Sequence, residues 1–296
     1  MRTCLECIPC FFRQTLEAAR LAGADEVTQK KILDEVALVV PGFPLEASPP
    51  EMGRIIHGIV RKYTGEKDPY FDIKRKSNSF ALKLYDKFKE KAKTSQDSLL
   101  SAVEMAIAGN VIDFGVKNTI NVELELDRIL AEEGKAIERE SEAFFNYGAF
   151  KEALFASGDV LYLADNAGET VFDRILIEEI VARGISVEYA VKESPIINDA
   201  TEEDAKTCGI DKIAKVTSSG SDAPGTVLSR CSESFLVKLK KADMVISKGQ
   251  GNFEALSSNS LRPIFFLFMA KCPVVVEEVG CNLGDILLLK KGETVL

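Results

Sequence analysis

The first half of the chain carries apolar residues at helical spacing. After the helix-start signal Ser48-Pro49-Pro50-Glu51, apolar residues recur three and four positions apart, and a second stripe of this kind begins at Leu99. The two stripes consist of Met52, Ile55, Ile56, Ile59, Val60 and Tyr63, and of Leu99, Leu100, Val103, Ala106 and Ile107. No convincing alternation of period two occurs between Thr3 and Phe150. We therefore predict an all-helical domain over residues 1–155.

The pattern changes near Ala156 to short apolar runs separated by helical stretches. Runs of this kind are typical of strands buried on both faces of a mainly parallel sheet. The predicted strands cover residues 160–164, 186–191, 212–216, 244–247, 264–269, 274–277 and 286–289, and predicted helices cover 170–182 and 222–241. The last three strands follow one another closely, so we expect an antiparallel edge or hairpin there. The sequence thus predicts an α/β domain over residues 156–296.

Charge and composition narrow the classes of partner. The 296 residues include 46 acidic and 37 basic side chains, a formal net charge of −9. Nucleic acids and anionic membranes bind basic surfaces, so we expect neither as a partner. The longest apolar run, 263–270, is too short to cross a bilayer, and no signal-peptide pattern follows the first residues. Together with seven cysteines that do not form a dense disulfide pattern, this predicts a cytoplasmic protein.

Three polar segments that contain glycine or proline follow predicted strands. They are Asp-Asn-Ala-Gly-Glu at 165–169, the stretch 192–201, and Lys-Gly-Gln-Gly-Asn-Phe-Glu at 248–254. In an open α/β sheet the ligand site lies beyond the carboxyl ends of the strands, so we expect these segments to share one site. Each segment taken alone is also explained by a strand-to-helix turn with a helix cap.

The segments carry oxygen ligands suited to a metal ion. Asp165, Asn166 and Asp199 offer carboxylate and amide oxygens, hard donors that suit Mg²⁺ or Mn²⁺ and are tolerated by Co²⁺ or Ni²⁺. His57 is the only histidine in the chain, so a catalytic metal here is held mainly by oxygen or by thiolate. These three residues are therefore candidate metal ligands.

The same segments offer positive charge for a phosphate group. Lys192 and Lys248 follow predicted strands, and backbone N–H groups at the helix starts after Gly168 and Gly251 are suited to anions. A metal ion, lysines and glycine turns together are typical of phosphoryl chemistry. The combination therefore favours a site for a small phosphorylated compound.

The set of motifs resembles one protein family. Residues 165–169, the segment Pro-Ile-Ile-Asn-Asp-Ala-Thr at 195–201, and Gly-Asn-Phe-Glu at 251–254 are similar to motifs of the DUF89 family, the metal-dependent damage-control phosphatases related to ARMT1-like proteins. Cys7-Ile8-Pro9-Cys10 and the 251–254 motif resemble signatures of the mainly prokaryotic branch, subfamily I. Residues 108–114 resemble a further family segment, so the resemblance covers nearly the whole chain.

The resemblance implies a fold, an activity and a set of roles. The fold is a helical N-terminal domain packed on a three-layer α/β/α, Rossmann-like domain, with the active site at their junction. The activity is divalent-metal-dependent hydrolysis of small phosphorylated metabolites, such as sugar phosphates, in metabolite damage control, with Mn²⁺, Co²⁺ or Ni²⁺ as the metal and Mg²⁺ as a further choice. The expected metal ligands are Asp165, Asn166 and Asp199; the catalytic residues are Lys248, Asn252, Glu254, Cys7 and Cys10; and the substrate-binding residues are Asn110, Asp113, Gly168, Glu169 and Lys192.

Within this scheme, charge suggests how two residues act. Lys248 is expected to add a second positive contact to the phosphate, and Glu254 to orient the attacking water.

Two other functions stay open at this stage. One is an S-adenosylmethionine-dependent carboxyl methyltransferase, whose expected glycine-rich loop is poorly met by the single glycine in 165–168. The other is a non-catalytic metal- or phosphometabolite-binding module in which Cys7 and Cys10 sense redox state. These cysteines are also compatible with packing as small buried side chains and, less readily, with a zinc or iron–sulfur site. His57 is expected to be an ordinary, hydrogen-bonded histidine of the helical domain. The sequence gives no indication of an oligomeric state.

Overall fold

The computed structural model describes residues 1–109, 143–258 and 263–292. Within them the helices are α1 (Cys7–Leu21), α2 (Glu26–Val39), α3 (Pro49–Thr64), α4 (Phe71–Thr94), α5 (Ser98–Ala108), α6 (Tyr147–Phe155), α7 (Glu169–Val181), α8 (Glu202–Thr207), α9 (Glu233–Lys241), α10 (Gln250–Leu256) and α11 (Pro273–Val279). The strands are β1 (Asp159–Leu163), β2 (Ser186–Val191), β3 (Lys215–Ser218), β4 (Met244–Lys248), β5 (Ile264–Met269) and β6 (Ile286–Lys291).

The strands form one sheet in the order β3-β2-β1-β4-β5-β6. The first five run parallel, and β6 pairs antiparallel with β5, which confirms the predicted α/β fold class and its antiparallel edge. The chain order reverses between β1 and β4, where Leu163 lies beside Ser247. Open α/β sheets bind ligands at such a switch point, outside the carboxyl ends of the strands.

Helix α3 shows how the sequence determines one of the predicted helices. Glu51 Oε2 accepts hydrogen bonds from Ser48 N at 2.7 Å and Ser48 Oγ at 2.9 Å, which completes a capping box at the predicted start. The helix ends at Gly65, whose φ of 72° is in the left-handed region. Its apolar stripe faces inward, since Met52, Ile56, Ile59 and Val60 are buried.

Three sequence predictions need correction. Residues 274–277 are wrong as a strand, because they lie in α11, where Pro273 starts the helix and Gly280 ends it with a φ of 80°. The predicted helix over 222–241 begins only at Glu233, since Pro224 and Gly225 occupy a turn. Strand β3 covers 215–218 rather than 212–216.

Two helical layers cover the faces of the sheet. On one face, Phe88 of α4 packs against Phe172 of α7 with ring centroids 5.8 Å apart, and Phe150 of α6 packs against Phe265 of β5 at 5.5 Å. Helices α9, α10 and α11 contribute the core of the opposite face. One buried cluster therefore includes α4 and α5 together with the sheet and crosses the boundary placed at 155/156, a division that stays a prediction.

Helices α1 to α3 pack around a third apolar cluster. Phe11, Val36 and Ile56 are buried there, and Ile197, which follows β2, packs against the cluster. This places the three helices beside the carboxyl edge of the sheet. No helix within the described ranges is long and apolar enough to span a membrane.

Candidate active site

Two backbone segments bring the candidate metal ligands together. The turn after β1 and the segment after β2 run side by side: Ala200 N donates to Asp165 O at 2.8 Å, and Ala167 N donates to Asn198 O at 2.9 Å. Asn166 and Asp199 face each other as an isolated antiparallel bridge. Three polar side chains, Asp165, Asn166 and Asp199, thus meet at the edge of the sheet although two of them are more than thirty residues from the third.

The turn after β4 packs directly against Asp165. Gly249 has a φ of 82°, and a Cβ atom at this position would lie 1.9 Å from Asp165 Oδ2. Only glycine leaves room for the carboxylate here. The two strand-to-helix turns at the switch point therefore fix each other's position.

Hydrogen bonds fix the orientation of the Asn166 amide. Its Nδ2 donates to Asp165 Oδ2 at 3.0 Å and to Glu169 Oε1 at 2.9 Å. A primary amide has two N–H groups, and both are used by carboxylates. The amide oxygen consequently points away from Asp165 and Glu169.

A cavity of about 500 Å³ opens in front of these side chains. One wall is the sheet edge with Asp165, Asn166 and Asp199, and the other comes from Cys10 of α1 and from α3. Gln250 and Glu254 of α10 also line it. A cavity of this size and position is typical of a small-molecule site.

The two predicted phosphate-binding lysines do not line this cavity. Lys248 is completely buried, and its Nζ lies 2.8 Å from Asp173 Oδ1 and 3.1 Å from Glu169 Oε2. Burial lowers the pKa of Lys248, but Asp173 and Glu169 raise it more, so the group stays charged. Lys192 is also buried, and its Nζ lies 3.5 Å from Asp199 Oδ2. Lys248 is therefore too deeply buried to make the direct phosphate contact predicted from the sequence.

Asn252, another residue predicted to be catalytic, lies behind the site. Its Nδ2 donates to Ala164 O at 3.0 Å and to Lys248 O at 2.7 Å, and its Oδ1 accepts from Thr226 Oγ1 at 2.8 Å. The side chain is fully buried. It joins the ends of β1 and β4 and does not line the cavity.

Glu254, by contrast, lines the cavity and titrates near neutral pH. Burial raises the pKa of this carboxyl to about 7, against the lowering effects of a hydrogen bond from Gln250 and of the N-terminal amine. Gln250 Nε2 donates to Glu254 Oε1 at 2.8 Å. A carboxyl group with this pKa is suited to proton exchange near neutral pH.

The two motif cysteines have different surroundings. Cys10 lines the cavity, and its Sγ accepts from Gln14 Nε2 at 3.4 Å and from Arg13 at 3.5 Å. Cys7 does not line it, and burial raises the pKa of its thiol to about 11. Of the pair, Cys10 is the thiol positioned to meet a ligand.

None of the predicted substrate-binding residues that the structure describes lines the cavity. The Gly168 N–H donates to Asn78 Oδ1 at 2.6 Å, and Glu169 is buried beneath the turn. Neither residue lines the cavity. Asn110 and Asp113 lie outside the described residues.

Sequence reasoning missed several residues that support the site. Tyr162 and Tyr189 each donate to an oxygen of Asp173 at 2.8 Å, in the interior. Tyrosines within apolar strands were a usable signal, because a buried hydroxyl needs a partner. Asn78, in the lysine-rich α4, gave no comparable signal.

His57 is buried in α3 and also lines the cavity. Burial, with a smaller effect from Arg61, lowers its pKa to about 4, so the ring is neutral at pH 7. Its Nε2 makes no hydrogen bond to the part of the chain that the structure describes. The expectation of an ordinary, hydrogen-bonded histidine is therefore wrong for Nε2, and the ring forms part of the cavity wall.

The charges and donor atoms of the site fit a divalent cation. Four carboxylates and two ammonium groups are buried here, a formal charge of −2: Asp165, Glu169, Asp173, Asp199, Lys192 and Lys248. Among the described residues, no group of three or more His, Cys, Asp or Glu side chains is placed to hold an ion. The oxygen of the Asn166 amide, a hard donor like the two carboxylates, is the further protein ligand that this arrangement would offer a cation.

Comparison with known proteins identifies the family. Residues 3–287 match the damage-control phosphatase ARMT1-like domain. The chain belongs to this family. It is 36% identical over 295 residues to a damage-control phosphatase of Pyrococcus horikoshii, covering 98% of each chain, and 39% identical over 293 residues to an uncharacterized protein of Methanocaldococcus jannaschii, covering 97% of this chain and 94% of that one.

A solved structure shows that the similarity extends to the fold. The crystal structure of a DUF89 family protein from Pyrococcus horikoshii superposes with a TM-score of 0.87 at 35% identity, covering 98% of this chain and 99% of that one. The family resemblance read from the motifs is therefore confirmed, as is the mixed α/β architecture.

Proposed function

We propose that this protein is a phosphatase that hydrolyses phosphate monoesters of small metabolites with a divalent cation held by Asp165, Asn166 and Asp199. The observation that carries the proposal is the convergence of these three oxygen ligands at the switch point of the sheet, facing a cavity. Membership of the ARMT1-like family and similarity to a protein named damage-control phosphatase support it.

Hard oxygen ligands suit Mg²⁺ or Mn²⁺ and are tolerated by Co²⁺ or Ni²⁺. The family resemblance favours Mn²⁺, Co²⁺ or Ni²⁺, so the cation would be one of these, with Mg²⁺ as a further choice. When bound, such an ion supplies positive charge that offsets the charge developing on the phosphoryl oxygens. The carboxylates of Asp165 and Asp199 would hold the ion, and Asn166 would supply an uncharged third ligand. Lys192 keeps the Asp199 carboxylate in place through its ion pair.

Glu254 is the candidate general base of the reaction. It lines the cavity, and with a pKa of about 7 it is partly ionised at neutral pH and able to take a proton from a water molecule. The hydrogen bond from Gln250 orients its carboxylate.

The cavity also bears on the substrate class. Its volume of about 500 Å³ exceeds what a phosphate group alone fills, and apolar and polar residues share the lining. The cavity thus leaves room for the organic part of a small phosphorylated metabolite. Following the family resemblance, we propose sugar phosphates among the substrates and removal of damaged or surplus metabolites in the cytoplasm as the role of the reaction.

Hydrolysis of p-nitrophenyl phosphate by the purified protein tests the proposal. We expect EDTA to abolish the activity, and Mn²⁺ or Co²⁺ to restore it. Asp165→Ala is expected to reduce kcat/KM by about a hundredfold or more, because it removes a ligand of the ion. Asp211→Ala, at an exposed carboxylate in another part of the fold, serves as the matched control.

Three outcomes would contradict the proposal. Full activity in EDTA would exclude the metal, and full activity in Asp165→Ala would exclude the site. Metal binding without turnover of any phosphate ester would instead support a non-catalytic binding module.

A further inference from the structure

A buried network of charged and hydroxyl groups lies directly behind the candidate metal ligands. Lys248 Nζ bonds Asp173 Oδ1 at 2.8 Å and Glu169 Oε2 at 3.1 Å. The hydroxyls of Tyr162 and Tyr189 donate to the two oxygens of Asp173, each at 2.8 Å. All five side chains are essentially inaccessible to solvent.

The network reaches the site through Glu169. One oxygen of this carboxylate accepts from Lys248, and the other accepts from Asn166 Nδ2 at 2.9 Å. Lys248 thus holds Glu169, and Glu169 holds the amide.

The orientation of the amide decides whether Asn166 can bind a cation. With its nitrogen toward Asp165 and Glu169, the amide directs its oxygen to the opposite side. The reverse orientation would place that oxygen about 3 Å from two carboxylate oxygens, and none of these three atoms carries a hydrogen to donate. The carboxylate of Glu169 therefore selects the ligand-competent orientation.

We infer that Lys248 is a positioning residue: through Glu169 it holds the Asn166 amide with its oxygen available to the cation, and it does not itself contact the substrate. The inference rests on the proposed function, since it concerns the same metal site. Asp173, fixed by the two tyrosines, holds the ammonium in place. Groups that orient metal ligands in this way commonly change metal affinity or activity 10–100-fold when removed.

Mn²⁺ binding by Lys248→Met, measured by calorimetry, tests the inference without relying on catalysis. Methionine has similar length but no charge, so Glu169 loses the ammonium group of Lys248 and holds the Asn166 amide less firmly, while the hydrogen bond from Asn166 to Asp165 remains. We expect the Mn²⁺ dissociation constant to rise about 10–100-fold. The matched control is Lys238→Met, since Lys238 is also paired with a glutamate, Glu188, but lies outside the cavity.

Activity measurements add a second readout. With p-nitrophenyl phosphate, kcat of Lys248→Met is expected to recover as Mn²⁺ is raised, while KM for the ester at saturating Mn²⁺ stays near that of the wild type. A lysine that bound the phosphate directly would instead leave KM raised at every Mn²⁺ concentration.

A double variant separates positioning from a general role in folding. Lys248→Met leaves two buried carboxylates without their cation, and Lys248→Met/Asp173→Asn restores the buried net charge. We expect the double variant to regain resistance to urea but to keep its weakened Mn²⁺ binding. Recovery of both properties together would show a merely structural role. If Lys248→Met does not fold, Tyr189→Phe, which removes one hydrogen bond to Asp173, is expected to weaken Mn²⁺ binding in the same direction by a smaller factor.

The failure of this inference is distinguishable from that of the proposed function. Wild-type protein that binds no divalent ion would overturn both. Wild-type protein that binds Mn²⁺ and hydrolyses the ester, together with a Lys248→Met variant of unchanged Mn²⁺ affinity, would overturn the positioning role alone.

Discussion

Glu254 shows how a single side chain acquires chemistry from its surroundings. A glutamate in water is almost fully ionised at pH 7, whereas burial beside the cavity raises the pKa of Glu254 to about 7. The hydrogen bond from Gln250 and the N-terminal amine act in the opposite direction and keep the shift from being larger. The carboxyl group is therefore able to gain or lose a proton near neutral pH.

The pH dependence of the reaction follows from this shift. A general base must be ionised, and Glu254 is protonated below its pKa, so we expect kcat/KM to fall with decreasing pH below about 7, approaching tenfold per unit. Glu254→Gln should lower kcat/KM about 10²- to 10⁴-fold and remove this acidic limb. The measurement is a pH profile of p-nitrophenyl phosphate hydrolysis from pH 5 to 9, with Glu17→Gln, at another carboxylate of the cavity wall, retaining the limb. An unchanged limb in Glu254→Gln would assign the proton transfer to another group.

At the scale of elements, the site depends on two strand-to-helix turns that pack against each other. The turn from β1 to α7 provides Asp165, and the turn from β4 to α10 provides the glycine that makes room for it. Asn252 ties the two strand ends together from behind. The position of the carboxylate is therefore a property of the pair of turns and not of either alone.

Gly249→Ala tests this arrangement. The added Cβ would lie 1.9 Å from Asp165 Oδ2, so we expect the carboxylate to be displaced and Mn²⁺ affinity to fall at least tenfold. Backbone strain at this φ adds a loss of about 1–3 kcal/mol in the free energy of unfolding. Gly280→Ala is the matched control: Gly280 also has a positive φ, 80°, but nothing lies within 4 Å of an added Cβ.

The two variants should therefore differ in Mn²⁺ affinity, which only Gly249→Ala is expected to lower. Calorimetric titration with Mn²⁺ and urea unfolding measure the two properties separately. Wild-type Mn²⁺ affinity in Gly249→Ala would show that Asp165 adapts without cost and that the close packing is unimportant.

At the scale of the whole molecule, the active-site charges are set into a continuous fold. Helices α4 and α5 from the first half share one apolar cluster with the sheet, and α1 and α3 complete the cavity from the other side. A buried formal net charge of −2 is costly in such an interior unless a positive charge offsets it. A divalent cation is the partner that would do so.

Divalent metal is accordingly expected to stabilise the entire chain. Mn²⁺ at about 100 times its dissociation constant should raise the free energy of unfolding by about 2.7 kcal/mol if it binds only the folded state. Urea unfolding with and without Mn²⁺ measures the effect, and Asp165→Ala should show none of it. Equal midpoints in the wild-type protein would mean that the ion does not bind the folded state.

Much of this protein follows from its sequence alone. Five of the predicted strands occur within one or two residues of their expected limits, and α3 begins at the predicted capping residues, because burial periodicity and caps are local properties. The motif set also indicated the family and the candidate ligands. The meeting of Asp165, Asn166 and Asp199 was predictable because residues that follow parallel strands converge at one edge of a sheet. Their role as metal ligands stays a prediction.

Tertiary structure decided what each charged residue touches. Lys248 and Glu169 are 79 residues apart in the chain, so no local pattern could show that this lysine faces a glutamate and an aspartate instead of a phosphate. The helix at 273–279 was predicted to be a strand because three consecutive valines favour a strand locally. Pro273 at its start, Gly280 at its end and the burial of Val275 favour a helix instead. The sequence thus determined which chemical groups the protein contains. Packing determined which of these groups reach the cavity, because the fold brings together residues that are distant in the chain as partners of each buried side chain.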